Sequence, residues 1–374
     1  MAGRAWRVAR ILGIDVYIDS SWLLIFILVV WTLAFGYFPA AFPHWPLWQY
    51  WVIGIATALL FFVSVLLHEL SHSVVARAQG EPVARITLFI FGGAAEITEE
   101  PKTAGKEFRM AVAGPVSSFV QAAIYAVLAA LVGSRTPIGA MFHYLALINL
   151  GLGVFNLVPG FPLDGGRVLR SIVWGISHDL RQATRVASWA GQTVAFLLVF
   201  LGILFLLTGN WLNGLWFIFI GWFLRGAAIS SYRQLVLRDA MADVRVSRLM
   251  SKEYAVASPD EKLEDLVETY VTRRTQHAYP VLDGDKLVGI ICLHDIRKVP
   301  RDRWSTTTVR EAMTPASKLL TVSPNDDGNA LLARMASSDV HQLPVLENGQ
   351  LVGMVTRSDV VHFLQWQTEL GTYA

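Results

Sequence analysis

The pattern of apolar and polar positions divides the chain into two parts. Between about residues 20 and 230, apolar runs are long enough to cross a bilayer as helices. These runs predict six spanning helices, at residues 20–38, 48–78, 107–133, 139–158, 186–208 and 211–232. From about residue 240 onward, short strand-like and helix-like segments alternate instead, which is typical of a soluble α/β domain.

A short segment between the second and third predicted spans has a different pattern. Residues 85–97, RITLFIFGGAAEI, are apolar and β-prone, with glycines side by side at positions 92 and 93. This composition predicts a strand pair or a re-entrant strand rather than a helix. Because lipid cannot satisfy an open strand edge, we expect the segment in a protein-lined cavity or at the inner membrane surface. The predicted fold class is therefore a polytopic α-helical membrane protein, with six transmembrane helices and a short membrane-associated β segment, plus a soluble α/β module.

Lysines and arginines are concentrated in alternate loops between the predicted spans. They cluster before span one, between spans two and three, and after spans four and six, whereas the loops on the other side carry only Arg135. By the positive-inside tendency, both termini of this multi-pass protein then face the cytoplasm of the cell. A cleaved signal peptide is the alternative for the first span. That apolar stretch is longer than a signal core and no small-residue cleavage site follows it, so we favour a membrane anchor.

Composition supports the membrane assignment and argues against one class of partner. The chain is 54% hydrophobic and only 16% charged, whereas soluble domains average nearer a quarter charged residues. The net charge is +2, and the sequence has no basic block of the kind that binds nucleic acid, so no nucleic-acid partner is expected. The single cysteine, Cys292, cannot form an intramolecular disulfide, which fits a reducing compartment for the soluble part.

The second predicted span carries the motif HExxH, as His68-Glu69-Leu70-Ser71-His72. Residues four apart on a helix share one face, so both imidazoles can reach a single metal ion. The adjacent glutamate can take a proton from water, whose pKa zinc lowers to about 7. The alternative is a hydrogen-bonded polar cluster in a helix bundle. Three ionisable groups within a membrane span favour the metal site.

A catalytic zinc usually has three protein ligands, and Asp164 is the candidate for the third. It lies in the segment NLVPGFPLDGGR, residues 156–167, whose Pro and Gly content predicts a break in span four. Such a break at membrane depth is tolerated where it lines a cavity. Asp164 could therefore reach the metal, or it could only start the next helix as a cap. Asn156 could donate a hydrogen bond to a substrate carbonyl or oxyanion, or it could hold the broken backbone together.

The membrane part resembles the site-2 protease family of intramembrane metalloproteases, in the branch that carries paired CBS domains. The matching segments, in the family's order, are LLHELSHSVVA (66–76), FGGAAEI (91–97), AVAGPVSSF (111–119) and FNLVPGFPLDGGRVLR (155–170). The resemblance implies one zinc ion (Zn2+) per chain, bound by His68, His72 and Asp164, with Glu69 as the catalytic acid/base. It also implies that the substrate is a transmembrane segment of another protein, cut during regulated intramembrane proteolysis.

A transmembrane substrate must unwind before it can be cut, because a helix buries its carbonyl groups in its own hydrogen bonds. An unwound peptide could then pair with residues 89–95 by strand addition. This places Gly92 and Gly93 among the residues expected to bind substrate.

Residues 245–368 contain an internal repeat. Tyr279-Pro280-Val281 recurs as Leu343-Pro344-Val345, and residues 287–291 recur as 351–355 at the same offset. Each copy predicts strand–helix–strand–strand–helix, with a glycine-containing hairpin turn. The repeat resembles a tandem pair of CBS domains. We therefore expect a membrane domain at 1–232, a linker at 233–246, and a module at 247–374 with halves at 247–300 and 310–368.

The resemblance to CBS domains implies that an adenine nucleotide (AMP, ADP or ATP) binds to the module and regulates the protein. In that family a Ser or Thr followed three residues later by Asp holds phosphate and ribose, and Thr356 and Asp359 match this pattern. The first copy keeps Asp295, which is also a candidate for nucleotide binding, but has Cys292 in place of the hydroxyl. The alternative is that the pair only forms a homodimer or packs against the membrane domain. A homodimer through these domains is expected in either case.

Three functional classes compete for such a chain: an intramembrane zinc protease, a CBS-regulated transporter or channel, and a proteolytically inactive membrane scaffold. A transporter predicts charges along a path through the membrane and gives no reason for HExxH with a distant aspartate. A scaffold predicts that at least one catalytic residue has been lost, and none has. The pattern therefore favours the protease.

Overall fold

The computed structural model describes residues 5–90, 92–97, 101–271, 276, 278–337 and 340–369. Phe91 of the predicted strand pair and residues 370–374 of the predicted soluble module lie outside this range. The chain divides into two compact units, Met1–Leu235 and Val236–Ala374.

Within the described residues, six helices are long and apolar enough to cross a membrane, as predicted. They are α1 (Ser20–Ala41), α2 (Leu47–Ala78), α3 (Ala104–Val132), α4 (Pro137–Asn156), α6 (Leu180–Leu207) and α7 (Trp211–Ala242). The shorter helix α5 (Asp164–Ser177) follows the predicted break after α4. The predicted fold class of six membrane helices with a β segment and an α/β module is therefore confirmed.

Two helix boundaries differ from the predicted ones. Helix α6 begins at Leu180 rather than near residue 186, and α7 continues to Ala242 rather than ending near residue 232. The predicted linker at 233–246 therefore begins as helix. The reason is that residues 227–242 contain no glycine or proline that would end α7, although they are too polar to continue a membrane span.

Large apolar side chains cover the outer surfaces of the spanning helices. Leu131, Leu207 and Leu212 are 77%, 79% and 82% exposed. A contiguous surface of such side chains is unfavourable in water and is suited to contact with lipid.

A four-stranded sheet lies in the first unit, in the order β1 (Ala5–Ile11), β2 (Ile14–Asp19), β3 (Val83–Phe89) and β4 (Gly92–Ile97). The strands β3 and β4 form an antiparallel hairpin, as the sequence predicts, and β3 pairs in parallel with β2. The N-terminal hairpin of β1 and β2 was not predicted from the sequence. Ile14 and Ile86 of this sheet pack against Leu70, so the sheet is fixed to helix α2.

The second unit contains a five-stranded sheet. Its strands are β5 (Ala278–Asp283), β6 (Lys286–Cys292), β7 (Thr314–Pro315), β8 (Gln342–Glu347) and β9 (Gln350–Thr356). The order is β5-β6-β9-β8, and β7 pairs with β6. The helices of this unit are Val246–Leu249, Leu263–Leu266, Leu293–Arg297, Val309–Ala312, Gly328–Ser337 and Arg357–Glu369. The two hairpins, β5–β6 and β8–β9, have equivalent positions in the two sequence repeats, which is the predicted tandem α/β organisation.

Candidate functional site

The two histidines of the HExxH motif lie on one face of α2 and meet Asp164 at the start of α5. Asp164 Oδ2 lies 3.0 Å from Nε2 of His68 and 3.2 Å from Nε2 of His72. The two imidazole Nε2 atoms are 3.2 Å apart. Both histidines are buried, with 4% and 8% of their surface exposed. Among the described residues, these three form the group able to hold a metal ion.

The spacing and chemistry of the three atoms fit zinc. Bonds of 2.0–2.1 Å in a tetrahedral zinc site hold ligand atoms about 3.3 Å apart. The observed separations of 3.0–3.2 Å are close to that value. Two imidazoles and one carboxylate also leave a fourth position open, as in catalytic zinc sites.

Helix α3 orients both imidazole rings. His72 Nδ1 donates a hydrogen bond of 2.7 Å to the carbonyl oxygen of Met110. Because a carbonyl can only accept, the ring proton lies on Nδ1, and Nε2 keeps its lone pair for a metal. His68 Nδ1 lies 2.9 Å from Ser118 Oγ, which fixes the second ring. Sequence reasoning missed both partners, although they lie in or beside the AVAGPVSSF segment.

Gly114 allows α3 to pass directly over the two imidazoles. A Cβ atom at this position would lie 2.1 Å from His72 Nε2 and 2.5 Å from His68 Nε2. Met110, Gly114 and Ser118 are four residues apart and share one helix face. On this face, Met110 and Ser118 each bond to one of the two histidines. Gly114 lies between them, where only a glycine leaves room for the imidazoles.

Asp164 is the first residue of α5, so it both begins a helix and reaches the histidines. The residue before it, Leu163, caps α5 without a side-chain hydrogen bond, and the Asp164 carboxylate lies beside the histidines instead. A carboxylate in the first helical turn is also favoured by the helix dipole. A Cβ at Gly165 would lie 2.4 Å from the carbonyl oxygens of Leu157 and Val158, so the start of α5 packs closely on the turn after α4.

Glu69 lies against strand β4. A Cβ at Gly93 would come within 2.4 Å of Glu69 Cγ and 3.3 Å of its Oε1, so the absence of a side chain there makes room for the glutamate. Gly92 adopts a φ of +122° at the hairpin turn, and a Cβ on it would meet nothing within 4 Å. β4 ends the strand order, so its outer edge pairs with no strand among the described residues.

Asn156 is the last residue of α4 and is half-buried. In the described part of the chain, its side chain forms no hydrogen bond with protein, including with the histidines or Asp164. It precedes the turn on which the start of α5 packs. The structure thus places Asn156 at the break and leaves its amide available.

A buried ion pair joins α3 to α5 and was not predicted from the sequence. Arg170 Nε donates to Glu107 Oε1 at 2.7 Å, and its Nη2 donates to the same oxygen. Arg170 is 7% exposed and Glu107 is 0% exposed. The Arg170 guanidinium also lies 5.3 Å from the centre of the Phe161 ring, in the segment that leads to Asp164. Charged residues in otherwise apolar helices were the available signal.

The predicted nucleotide-binding residues differ between the two repeats. In the second, Thr356 Oγ1 and its backbone N–H both donate to Asp359 Oδ2, at 2.7 Å and 2.8 Å. In the first, Cys292 Sγ donates to Asp295 Oδ2 at 2.9 Å, and Lys298 Nζ lies 3.0 Å from Oδ1. Burial opposes ionisation of Asp295, but the Cys292 hydrogen bond and the Lys298 ion pair outweigh it and lower its pKa. Both carboxylate oxygens of Asp295, in the first repeat, therefore already have partners, namely Cys292 and Lys298.

Comparisons with known proteins match both units. Residues 56–136 and 134–201 match peptidase family M50, and residues 246–302 and 309–365 match the CBS domain. Rip3 of Mycobacterium tuberculosis, a candidate zinc metalloprotease, is 37% identical over 362 residues, covering 96% of this chain and 92% of that protein. Zinc metalloprotease MJ0392 of Methanocaldococcus jannaschii is 29% identical over 303 residues, covering 81% of this chain and 83% of that protein. A solved site-2 protease from Methanocaldococcus jannaschii is 27% identical with a TM-score of 0.44, covering 61% of this chain and 95% of that one.

A membrane helix bundle in which two buried histidines of an HExxH helix meet an aspartate from another helix has the arrangement of a membrane metalloprotease. The chain belongs to peptidase family M50, the site-2 protease family, and it carries a tandem pair of CBS domains. Zinc is the metal that this family implies, and the three ligand atoms fit it. The comparisons thereby confirm two predictions from the sequence, namely membership of this family and the class of zinc metalloprotease.

Proposed function

We propose that the protein hydrolyses peptide bonds in or near transmembrane segments of other membrane proteins, as an intramembrane zinc endopeptidase acting in regulated intramembrane proteolysis. In this proposal His68, His72 and Asp164 hold the zinc. The observation that supports it best is the convergence of their three ligand atoms within 3.2 Å of one another.

When bound, zinc supplies the Lewis acidity that polarises a scissile carbonyl and makes water nucleophilic near neutral pH. Glu69 serves as the general base and acid: its carboxylate takes a proton from water and returns it to the leaving amide nitrogen. Met110 and Ser118 keep the two imidazoles oriented during this step. Asn156 donates its amide N–H to the scissile carbonyl oxygen as negative charge develops there.

The substrate peptide is presented as a strand along the outer edge of β4. Edge addition holds a peptide by main-chain hydrogen bonds, so it suits substrates of different sequence. Gly92 and Gly93 leave no side chain between that edge and Glu69, which allows the peptide backbone to approach the carboxylate. The close contact between Gly93 and Glu69 supports this arrangement.

The test compares purified wild type with Glu69→Gln and Asp164→Ala, measuring zinc content and cleavage of a reconstituted transmembrane substrate. Glu69→Gln should retain zinc and lose cleavage, whereas Asp164→Ala should lose both. Glu253→Gln is the matched control, since it makes the same change at an exposed glutamate of the second unit, which contains neither the metal ligands nor β4. Cleavage by Glu69→Gln at the wild-type rate would contradict the assigned role of Glu69, and full zinc content in Asp164→Ala would contradict that of Asp164.

The CBS module is proposed to bind an adenine nucleotide at Thr356 and Asp359 in the second repeat and to regulate proteolysis, with the module also forming a homodimer. The supporting observation is the difference between repeats, because Lys298 occupies Asp295 Oδ1 only in the first. Titration of the full chain with AMP, ADP and ATP should show one site that weakens about tenfold or more in Asp359→Asn. Asp295→Asn should leave binding unchanged, and equal losses in both variants would contradict the assignment.

Both termini are proposed to face the cytoplasm. The chain has one cysteine, Cys292, which makes the test direct. In oriented membrane vesicles a membrane-impermeant thiol reagent should label Cys292 only when it is applied from the cytoplasmic side. Labelling from the opposite side would reverse the proposed orientation.

A further inference from the structure

A second polar cluster, in which Ser64, Gln121 and Asn149 are buried, lies beside the metal centre between α2, α3 and α4. We call it the Ser64 cluster, and its members are Ser64, Ser117, Gln121, Tyr125 and Asn149. Ser64 precedes His68 by four residues on α2, which is about 6 Å along a helix axis. Ser117 is the neighbour of Ser118, the hydrogen-bond partner of His68. α3 therefore places adjacent serines in the two clusters.

The two amides of the Ser64 cluster have fixed orientations. Asn149 Nδ2 donates to the carbonyl oxygen of Leu145 at 2.8 Å and to Ser64 Oγ at 3.4 Å. Gln121 Nε2 donates to the carbonyl oxygen of Ser64 at 3.4 Å and to Ser117 Oγ at 3.2 Å. Because backbone carbonyls can only accept, turning either amide around would place two acceptors face to face.

The oxygen ends of both amides consequently remain as acceptors that need a donor. Asn149 is 0% exposed and Gln121 is 8% exposed. Within the described part of the chain, neither Asn149 Oδ1 nor Gln121 Oε1 has a hydrogen-bond partner. A buried acceptor without a donor is costly, and surrounding lipid has no donor to offer.

We propose that each of these amide oxygens accepts a hydrogen bond from a buried water molecule, which makes the Ser64 cluster a hydration site inside the membrane domain. Buried water typically makes about three hydrogen bonds to polar groups that lack other partners. The cluster contains no carboxylate, and two free neutral oxygens are too few to replace the hydration shell of a cation. The inference rests on helix packing, so it stands whether or not the neighbouring centre cleaves peptides.

The direct test is an experimental structure of the full chain at a resolution that shows ordered water. Density should lie within hydrogen-bond distance of Asn149 Oδ1 and Gln121 Oε1, and it should give no anomalous signal after exchange into thallium salt. Absence of density at both oxygens would overturn the proposal. An anomalous peak would also overturn it, because the occupant would then be a monovalent cation.

Thermal unfolding provides an independent test. If the amide oxygens are hydrated, Asn149→Leu and Gln121→Met remove satisfied hydrogen bonds, and each midpoint should fall by about 2–4 °C. If the oxygens lack donors, removing them relieves a cost that offsets the loss of the hydrogen bonds made by the two amide nitrogens, and an unchanged or raised midpoint in both variants would contradict hydration. Asn213→Leu is the matched control, because Asn213 is exposed and, among the residues that the structure describes, its amide bonds only to Asn210, so its midpoint should stay near that of wild type.

Discussion

Replacing Gly114 by alanine should remove the metal while leaving the helix bundle folded. The added Cβ would lie 2.1 Å from His72 Nε2 and 2.5 Å from His68 Nε2, whereas ordinary contacts begin near 3.4 Å. The imidazoles and α3 must therefore separate by roughly 1 Å, several times the displacement of about 0.2 Å that metal–ligand distances tolerate. Both contacts fall on the ligand atoms themselves, so rotation of one ring cannot relieve them.

The expected loss of zinc affinity follows from the displacement of two metal ligands, His68 and His72. Loss of a group that merely orients a ligand lowers metal affinity about 10–100-fold, so displacing two ligands should lower it by at least that factor. The helix itself gains, since alanine is more favourable than glycine in a helix interior by about 0.5–1 kcal/mol. We therefore expect Gly114→Ala to have wild-type helix content, little zinc, and kcat/KM reduced more than about 100-fold.

The assay combines elemental analysis of the purified protein, circular dichroism, and cleavage of a transmembrane substrate in reconstituted vesicles. Gly105→Ala is the matched control, because it makes the same change on the same helix and its Cβ would meet nothing within 4 Å. It should keep both zinc and activity. If Gly114→Ala also kept both, the close passage of α3 over the histidines would be refuted.

Three further predictions concern groups around the two sites. Ser118→Ala should lower zinc affinity about 10–100-fold, because His68 loses the partner that orients it, and competition with a chelator measures the change; unchanged affinity would contradict the role of Ser118. Arg170→Met should destabilise the protein by about 3–5 kcal/mol by removing the guanidinium that pairs with the buried Glu107 carboxylate, and adding Glu107→Leu should recover much of the loss in a thermal-inactivation assay. Burial and the hydrogen bond to Asp295 raise the pKa of the Cys292 thiol, so less thiolate is present at neutral pH and alkylation should be slow. Asp295→Asn should shift the curve of alkylation rate against pH to lower pH, and superimposable curves would contradict this cause.

Much of the fold was predictable because its signals are local. Apolar length predicts the spanning helices, and the glycine pair at 92 and 93 predicts the hairpin that places a strand beside Glu69. Proline and glycine between Asn156 and Asp164 predict the break after α4. In each case the residues that create the feature lie within the feature itself, so no knowledge of tertiary packing is needed.

The surroundings of the metal ligands were less predictable because they depend on packing between distant segments. The carbonyl of Met110 is a backbone group, so no residue type in the sequence reveals its role. The roles of Gly114 and Ser118 become evident only once α3 is known to pack across α2. The N-terminal hairpin did have a signal, since Ile14 and Val16 alternate with polar residues after a glycine. The arginines of this hairpin were interpreted only as signals of membrane topology, so the alternating pattern that indicates strands was overlooked.

The parallel pairing of β2 with β3 has a consequence for how the protein is made. The segment between these strands crosses the membrane twice, through α1 and α2, yet residues 15–18 pair with residues 85–88. The two strands can meet only if both crossings have inserted and returned the chain to its starting side. During synthesis β2 leaves the ribosome first and has to wait for β3. Closure of the sheet therefore depends on correct insertion of α1 and α2: a chain whose first helical hairpin inserts wrongly cannot pair β2 with β3 and should lack the complete four-stranded sheet that packs against α2.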